Sequence, residues 1–490
     1  MVADPAGAAH PADIVLEGDS IVAVAPPGSV ADAKPVDAAD RLIIPGLVNA
    51  HTHGHGGLAK RIGDRWSLEL LLNAGPWING NRASEDRYLS TLLSSVEMVR
   101  KGCTACTACL SAMLPVSTVE DLHAVAQAYA EVGMRAVVAP MIADRTFYQA
   151  IPGLLDAFPA DLHALADAMR TAAPEATLAP IREAAAGWSY SRDHVRLGIA
   201  PTIPLHCSDD FMQVCRDLAV EFELPLQTHL AESPVQRAAA QRRYGTTLTA
   251  HLHLVGALGP GFSGAHAVWI DDSEIDLLAR HGGTLAHNPG SKLRLGNGIA
   301  DMRRAIAAGV TIGVGTDGSS SADNQNMFGA ARLAAFVSRA FGRPPAEWIG
   351  AAKALQLATE GSAAVLGMAG RIGRIAPGYK ADLVFLDMTH VNLVPLNNAV
   401  QQLVNAEDGM AVRDMMIGGR FVLLDGELPG LDWPGIVQRA RNAAARLTRA
   451  NASARAVAER LAPVVDHFCV GLGRCAHDLP RRLPLAAPQS

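Results

Sequence analysis

Leu42-Ile43-Ile44-Pro45-Gly46-Leu47-Val48-Asn49-Ala50-His51-Thr52-His53 is the stretch on which the fold turns. Its apolar part, residues 42 to 48, is a continuous run and not an alternation, the pattern of a strand covered on both faces. Comparable runs recur at residues 103–109, 134–141, 195–200, 224–228, 263–268, 284–287 and 310–315, with helix-like segments between them. Including the first, that makes eight. Eight buried strands separated by helices predict an α/β fold, a closed parallel (β/α)8 TIM barrel in place of an open sheet.

The rest of the chain is arranged around that barrel. Residues 13 to 25 (DIVLEGDSIVAVA) alternate apolar and polar about a Gly-Asp turn, as a hairpin does. Past the barrel, residues 381–386 and 420–426 read as strands with a turn after each. Pairing them with the N-terminal hairpin predicts a small β-sandwich built from both chain ends, residues 1–44 and 376–430, around a barrel of residues 45–375. Residues 431–490 form a helical extension, periodic over 434–466, with a Pro-rich tail over the last dozen or so.

Composition narrows the function. At 490 residues, 49% of them apolar, the chain can bury a large core. A net charge of −6 without a Lys/Arg-rich block argues against nucleic-acid and membrane-surface partners and for a small-molecule ligand. Seven cysteines make no disulfide framework in a chain this long. With neither a recognisable secretory signal nor an apolar run long enough to span a bilayer, a cytoplasmic location is expected.

His51 and His53 are alternate residues at the end of the first barrel strand, so both imidazoles can reach one ion at the face where barrel enzymes keep their chemistry. His229 ends the fifth strand, with Glu232 three residues on, a spacing suited to a proton carrier beside a ligand. His266 ends the sixth strand and Asp317 the eighth. Imidazole and carboxylate suit Zn²⁺ or Fe²⁺, and such a set leaves room for a water whose pKa the ion lowers.

The segments PGLVNAHTH, THLAES, GAHAVWIDDSEIDLLARHGGTLAHNPGSKLRLGNG, GVGTDGSSSADNQNMF and GRIAPGYKADLVFLD resemble the amidohydrolase superfamily, in particular its cytosine-deaminase-like and atrazine/melamine-hydrolase-like branch. The resemblance spans about residues 13 to 430 and implies a (β/α)8 barrel with a β-sandwich. It further implies one divalent ion, Zn²⁺ or less often Fe²⁺, held by His51, His53, His229 and Asp317. Asp317 also orients the water, Glu232 shuttles a proton to the leaving group and His266 polarises the scissile centre. A homo-oligomer is implied by resemblance alone. Relatives generally begin with another strand before a stretch like residues 2–12, so a late start or a shortened sandwich is expected.

The implied activity is an aminohydrolase: a metal-activated hydroxide attacks a C=N carbon of a small N-heterocycle and ammonia leaves. Two alternatives stay open. The same site could cleave an amide, urea or carbamate bond or displace another ring substituent, and a non-catalytic barrel used for binding or assembly belongs to a different class.

Weaker signals concern the substrate. Trp66 and Trp77, in the loop after the first strand, are candidate stacking partners for a flat ring, or core. His55 is expected to be solvated or to face substrate. Asn288, in HNPGSK, is a candidate contact or a structural turn. Nucleoside deaminases of this branch carry Ala-Pro-His after the fourth strand where this chain has Ala200-Pro201-Thr202, which disfavours an adenosine-like substrate. Thr202 and His206 are the candidates on that side. Residues 319 to 321, a serine run, either line the pocket or cap a helix, and Cys103, Cys106 and Cys109 are expected to be buried thiols and not metal ligands.

Overall fold

The computed structural model describes residues 1–3, 9–30, 33–60, 62–112, 116–322 and 324–478; most of the Pro-rich tail lies outside the described residues. The run from residue 42 is two strands and not one. β1 (Asp13–Glu17) and β2 (Ser20–Ala25) form the N-terminal hairpin, β3 (Arg41–Pro45) follows, and β4 (Leu47–Thr52) begins after Gly46. β3 leaves the barrel and pairs antiparallel with β13 (Leu383–Asp387), while β4 pairs parallel with β5 (Cys103–Ser111). The break falls where Pro45 lacks a donor and Gly46 N–H turns to Asp382 O at 2.9 Å.

From β5 the parallel order continues through β6 (Arg135–Ile142) to β7 (Val195–Leu197), with β8 (Ala200–Pro201) also on β6. The fourth barrel strand is thus two short pieces around Gly198, where a Cβ would lie 2.8 Å from Val137 Cγ1 and 3.1 Å from Pro225 O. A parallel bridge from Ile199 to Leu226 leads into β9 (Leu226–Leu230), β10 (Phe262–His266), β11 (Thr284–His287) and β12 (Thr311–Val314). Asp317 N–H to His51 O at 2.9 Å and Thr316 N–H to Asn49 Oδ1 at 3.0 Å tie the end of the eighth barrel strand back to the first. Close approach at that seam excludes a side chain at residue 315: a Cβ on Gly315 would sit 2.3 Å from Asn288 Oδ1 and 2.7 Å from His51 O. Small residues Ala50, Ala265 and Ala286 from three strands gather around Val365.

The sandwich pairs β3, β13, β14 (Val412–Ile417) and β15 (Arg420–Leu423) in one sheet. β14, absent from the sequence reading, carries VRDMMI, too charged at its start to stand out as a buried run. Ile21 of the hairpin meets Ile43, Leu383, Phe385 and Met416 across the two layers. Barrel and sandwich are joined by a buried bidentate pair, Arg135 Nε to Asp382 Oδ2 at 2.8 Å and Nη2 to Oδ1 at 2.9 Å. Two C-terminal helices, Trp433–Ala450 and Ala452–Asp478, run further than the predicted periodic segment; the first packs on the helix Ser84–Val99 and the second along the helix Leu68–Asn79 at the barrel mouth. No described helix is long and apolar enough to cross a membrane.

Candidate active site

The strand ends bring together the residues that the sequence scatters over 267 positions. Candidate ligand atoms of His51, His53 and His229 lie within 4.8 Å of one another, as do those of His51, His266 and Asp317. Asp317 Oδ1 is 3.1 Å from His53 Nε2 and 3.7 Å from His51 Nε2. Neighbouring hydrogen bonds distinguish these imidazoles. Gln227 Nε2 donates to Ala50 O and Ser263 Oγ, each at 3.2 Å, which turns its Oε1 toward His51 Nδ1 at 2.7 Å. An amide oxygen only accepts, so His51 Nδ1 carries the hydrogen and its buried Nε2, without a partner, presents a lone pair to the centre. His229 Nδ1 faces Thr202 O at 2.5 Å, which fixes the same tautomer, and its Nε2 lies 3.3 Å from His53 Nε2.

His266 is set the opposite way. Asn288 Nδ2 donates to Ala286 O at 3.3 Å and to His266 Nδ1 at 3.0 Å. The hydrogen of His266 is therefore on Nε2, which points at Glu232 Oε2, 3.5 Å away. Two unprotonated nitrogens and a carboxylate oxygen converging in a buried pocket repel one another unless a cation lies between them, so the donor set fits a divalent ion. His266, with a hydrogen at the corresponding nitrogen, fits a donor better than a ligand.

Burial sets the electrostatics. It holds the His51 imidazole down to about 4, with the neighbouring His53 adding to the effect. Burial, then His51, keeps His229 well below its usual value, and burial, then Lys292, does the same for His266. Burial raises Asp317, but the His53 hydrogen bond and the surrounding imidazoles outweigh it and hold the carboxyl well below the usual range. His51, His229 and His266 are thus neutral and Asp317 ionised at neutral pH, forms suited to metal binding. His266 (φ 80°) and Asp317 (φ 64°) both have left-handed backbone, which costs non-glycine residues about 1–3 kcal/mol each and is found where geometry serves function.

The sequence reading missed Lys292. The residue is 1% exposed, and its ammonium is hydrogen-bonded to Glu232 Oε1 and lies 4.0 Å from Asp317 Oδ2. Asn297 Nδ2 reaches the same Glu232 oxygen at 3.3 Å. Burial raises the Glu232 carboxyl while Lys292 opposes the rise. A signal was available: Lys292 is four residues after Asn288 at the start of the helix Pro289–Arg294, so both face the same way. Gln227 was missed too, although it lies two residues before His229 on the same face of β9.

A cavity of about 190 Å³ opens over this cluster, lined by His53, His55, His229, Glu232 and Asp317 at its floor and by Leu68, Leu72, Phe147 and Met169 above. Thr202, His206, Ser320 and Ser321 also line it. Burial, then the Arg243 charge, takes His206 down to about 3, so it enters the cavity as a neutral ring. Helix capping, the other option for the serines, falls instead to Asn326 ahead of Met327–Val337.

Three expected substrate contacts lie elsewhere. Asn288 is fully buried behind His266 and acts on that ring, and Trp66 and Trp77 line a separate cavity on the far side of the helix Leu68–Asn79. At 3.6 residues per turn, that helix presents Leu68 and Leu72 to the metal cavity and Trp77 to the other. Cys103, Cys106 and Cys109 are buried free thiols in β5, and burial pushes Cys106 up to about 12.

The fold and this cluster define a divalent-metal hydrolase on a (β/α)8 barrel. The chain belongs to the amidohydrolase family, whose model matches residues 42–422, and is a hydrolase acting on carbon–nitrogen bonds. It is 31% identical over 449 residues to the 5'-deoxyadenosine deaminase of Methanothermobacter thermautotrophicus, covering 90% of this chain and 96% of that protein. It is 29% identical over 441 residues to the 5-methylthioadenosine/S-adenosylhomocysteine deaminase of Desulforamulus reducens, covering 89% and 94%. Among solved structures it superposes on a zinc-bound adenosine deaminase from Xanthomonas campestris with a TM-score of 0.80 and 27% identity, covering 91% and 97%. A zinc complex of atrazine chlorohydrolase from Arthrobacter aurescens shares the fold at a TM-score of 0.78 and 23% identity, covering 88% and 95%.

Proposed function

We propose that the protein is a Zn²⁺-dependent aminohydrolase that releases ammonia from a small amino-substituted N-heterocycle. The observation that carries this reading is the pairing of converging unprotonated donors with a separate acid–base group, Glu232, whose oxygens face Lys292 and the hydrogen-bearing His266. His51, His53, His229 and Asp317 would hold the ion, which when bound would supply a Lewis acid that makes water nucleophilic near neutral pH.

The chain's own groups divide the remaining work. Asp317 orients the water and accepts its hydrogen bond. Glu232 takes a proton from the water and delivers one to the departing amine, a transfer its burial favours by raising its affinity for the proton. His266 donates its Nε2–H to the ring nitrogen or carbon substituent that gains negative charge. Lys292 keeps the Glu232 carboxylate turned toward the reacting centre.

The cavity suits a flat heterocycle, with apolar and polar side chains around it. Its walls mix apolar side chains such as Leu68, Leu72 and Phe147 with polar ones such as Asn79, Arg145 and Thr146, and among the described residues the acids lining it are Glu232 and Asp317, both engaged at the floor.

Ammonia release by the zinc-loaded protein, measured across aminopurines, pterins, aminopyrimidines, aminotriazines and adenosine-type nucleosides, tests the reading. Ammonia is expected from at least one free base and not from Glu232→Gln. Amine, alcohol or halide products without ammonia would overturn the deaminase assignment in favour of another displacement at the same site.

A further inference from the structure

The second cavity, about 380 Å³, lies between the helix Leu68–Asn79 and the C-terminal helices. We propose that it binds a planar aromatic monoanion and communicates with the metal site. The ring-binding element is Trp66 with Trp77, whose centroids are 6.4 Å apart at 88°, with the Arg455 guanidinium 5.3 Å from the Trp77 centroid. Arg455 is neutralised by Glu459 at 2.8 Å. Among the described residues no carboxylate is hydrogen-bonded to Arg82. It is 6% exposed, and its two Nη groups donate to backbone oxygens, His55 O at 2.8 Å and Ile78 O at 3.1 Å. Its buried Nε has no hydrogen-bond partner among the described residues. Asp86, whose charge Arg82 feels, is taken by Ala83 N–H and Arg446. A buried guanidinium that lines the cavity and spends its hydrogen bonds on carbonyls is the complement of an anion, and the volume suits a bicyclic ring.

Two paths connect the cavities. Arg82 ties the wall helix, through Ile78 O, to His55 O, two residues beyond His53. Asn73, in the second cavity, donates to Ala458 O at 2.9 Å and accepts from Tyr148 OH at 2.9 Å, and Tyr148 lines the metal cavity. A ligand that changes how Arg82 and Asn73 hold the wall must alter substrate affinity, and substrate must alter its affinity by the same factor.

The test is calorimetric titration of the zinc-loaded protein with 2-naphthoate, with 2-naphthamide as the uncharged probe. This arm does not depend on the reaction assigned above. Naphthoate is expected to bind, and the amide about tenfold more weakly or worse, since the charge is what Arg82 reads. Ala462→Phe, at a half-buried position of the cavity lining, should weaken naphthoate about tenfold or more by filling the space, with zinc content unchanged. Arg82→Met should do the same if it folds. In turnover assays naphthoate should change KM or kcat in a way that saturating substrate does not abolish, and Ala462→Phe should remove the effect. Absence of binding, equal binding by Ala462→Phe, equal binding of the amide, or simple competition with substrate would each overturn the proposal.

Discussion

Replacing Lys292 with methionine removes the cation from a pair whose two side chains are each 2% exposed. Glu232 then keeps only Asn297 Nδ2 at 3.3 Å on one oxygen and His266 Nε2 at 3.5 Å on the other. Breaking a buried ion pair from one side costs about 3–5 kcal/mol, because the remaining charge is desolvated and uncompensated, whereas removing both charges at similar volume is close to neutral. Lys292→Met should therefore lower the unfolding free energy by about that amount, and Lys292→Met with Glu232→Gln should recover most of it. The double-mutant cycle should yield a coupling of about 2 kcal/mol or more. Urea unfolding, run on metal-stripped and zinc-loaded protein, separates this from any change in zinc affinity. A single variant within about 0.5 kcal/mol of the parent, or a double variant no more stable than the single, would refute the reasoning.

Glu232→Gln should reduce kcat by about 10²–10⁴-fold while keeping stoichiometric zinc, whereas Asp317→Ala should lose the metal itself; plasma emission analysis beside turnover distinguishes them. Burial, with Asp271 adding, pushes Glu274 up to about 7 from 4.5. Its stabilising contribution is complete below pH 4.5 and is lost as pH rises through 7, an effect of about 3 kcal/mol. Glu274→Gln keeps a capping-box side chain but does not titrate, so it should gain stability relative to the parent between pH 5 and pH 8; a pH-independent difference counts against the assignment. Arg135→Met should cost about 3–5 kcal/mol by leaving Asp382 buried without its guanidinium, and a loss below about 1 kcal/mol in the same urea assay would show that this link is not what joins barrel to sandwich.

The run from residue 42 illustrates what a sequence conceals. Continuous apolarity reports burial on both faces, and both β3 and β4 are so buried, but it cannot say that the two belong to different sheets. Trp66 and Trp77 show the same limit: the loop containing them was legible as a cover, but which side of the helix faced the metal depended on where that helix docked. Asn288 was legible as a polar residue at a strand end, not as the donor that sets the His266 tautomer, since its partner lies 22 residues earlier on the adjacent strand.

By itself the sequence determined the barrel and the residue types at its strand ends, because burial and alternation are local properties that a strand writes into its own residues. His51 with His53, and His229 with Glu232, are set by spacings of two and three residues. Only the tertiary structure decided how those groups differ. The tautomers of His51, His229 and His266, the pairing of Lys292 with Glu232, and the division of the barrel mouth into two cavities come from contacts between distant segments. Hydrogen-bond direction and charge compensation are properties of such contacts, and no single segment carries them.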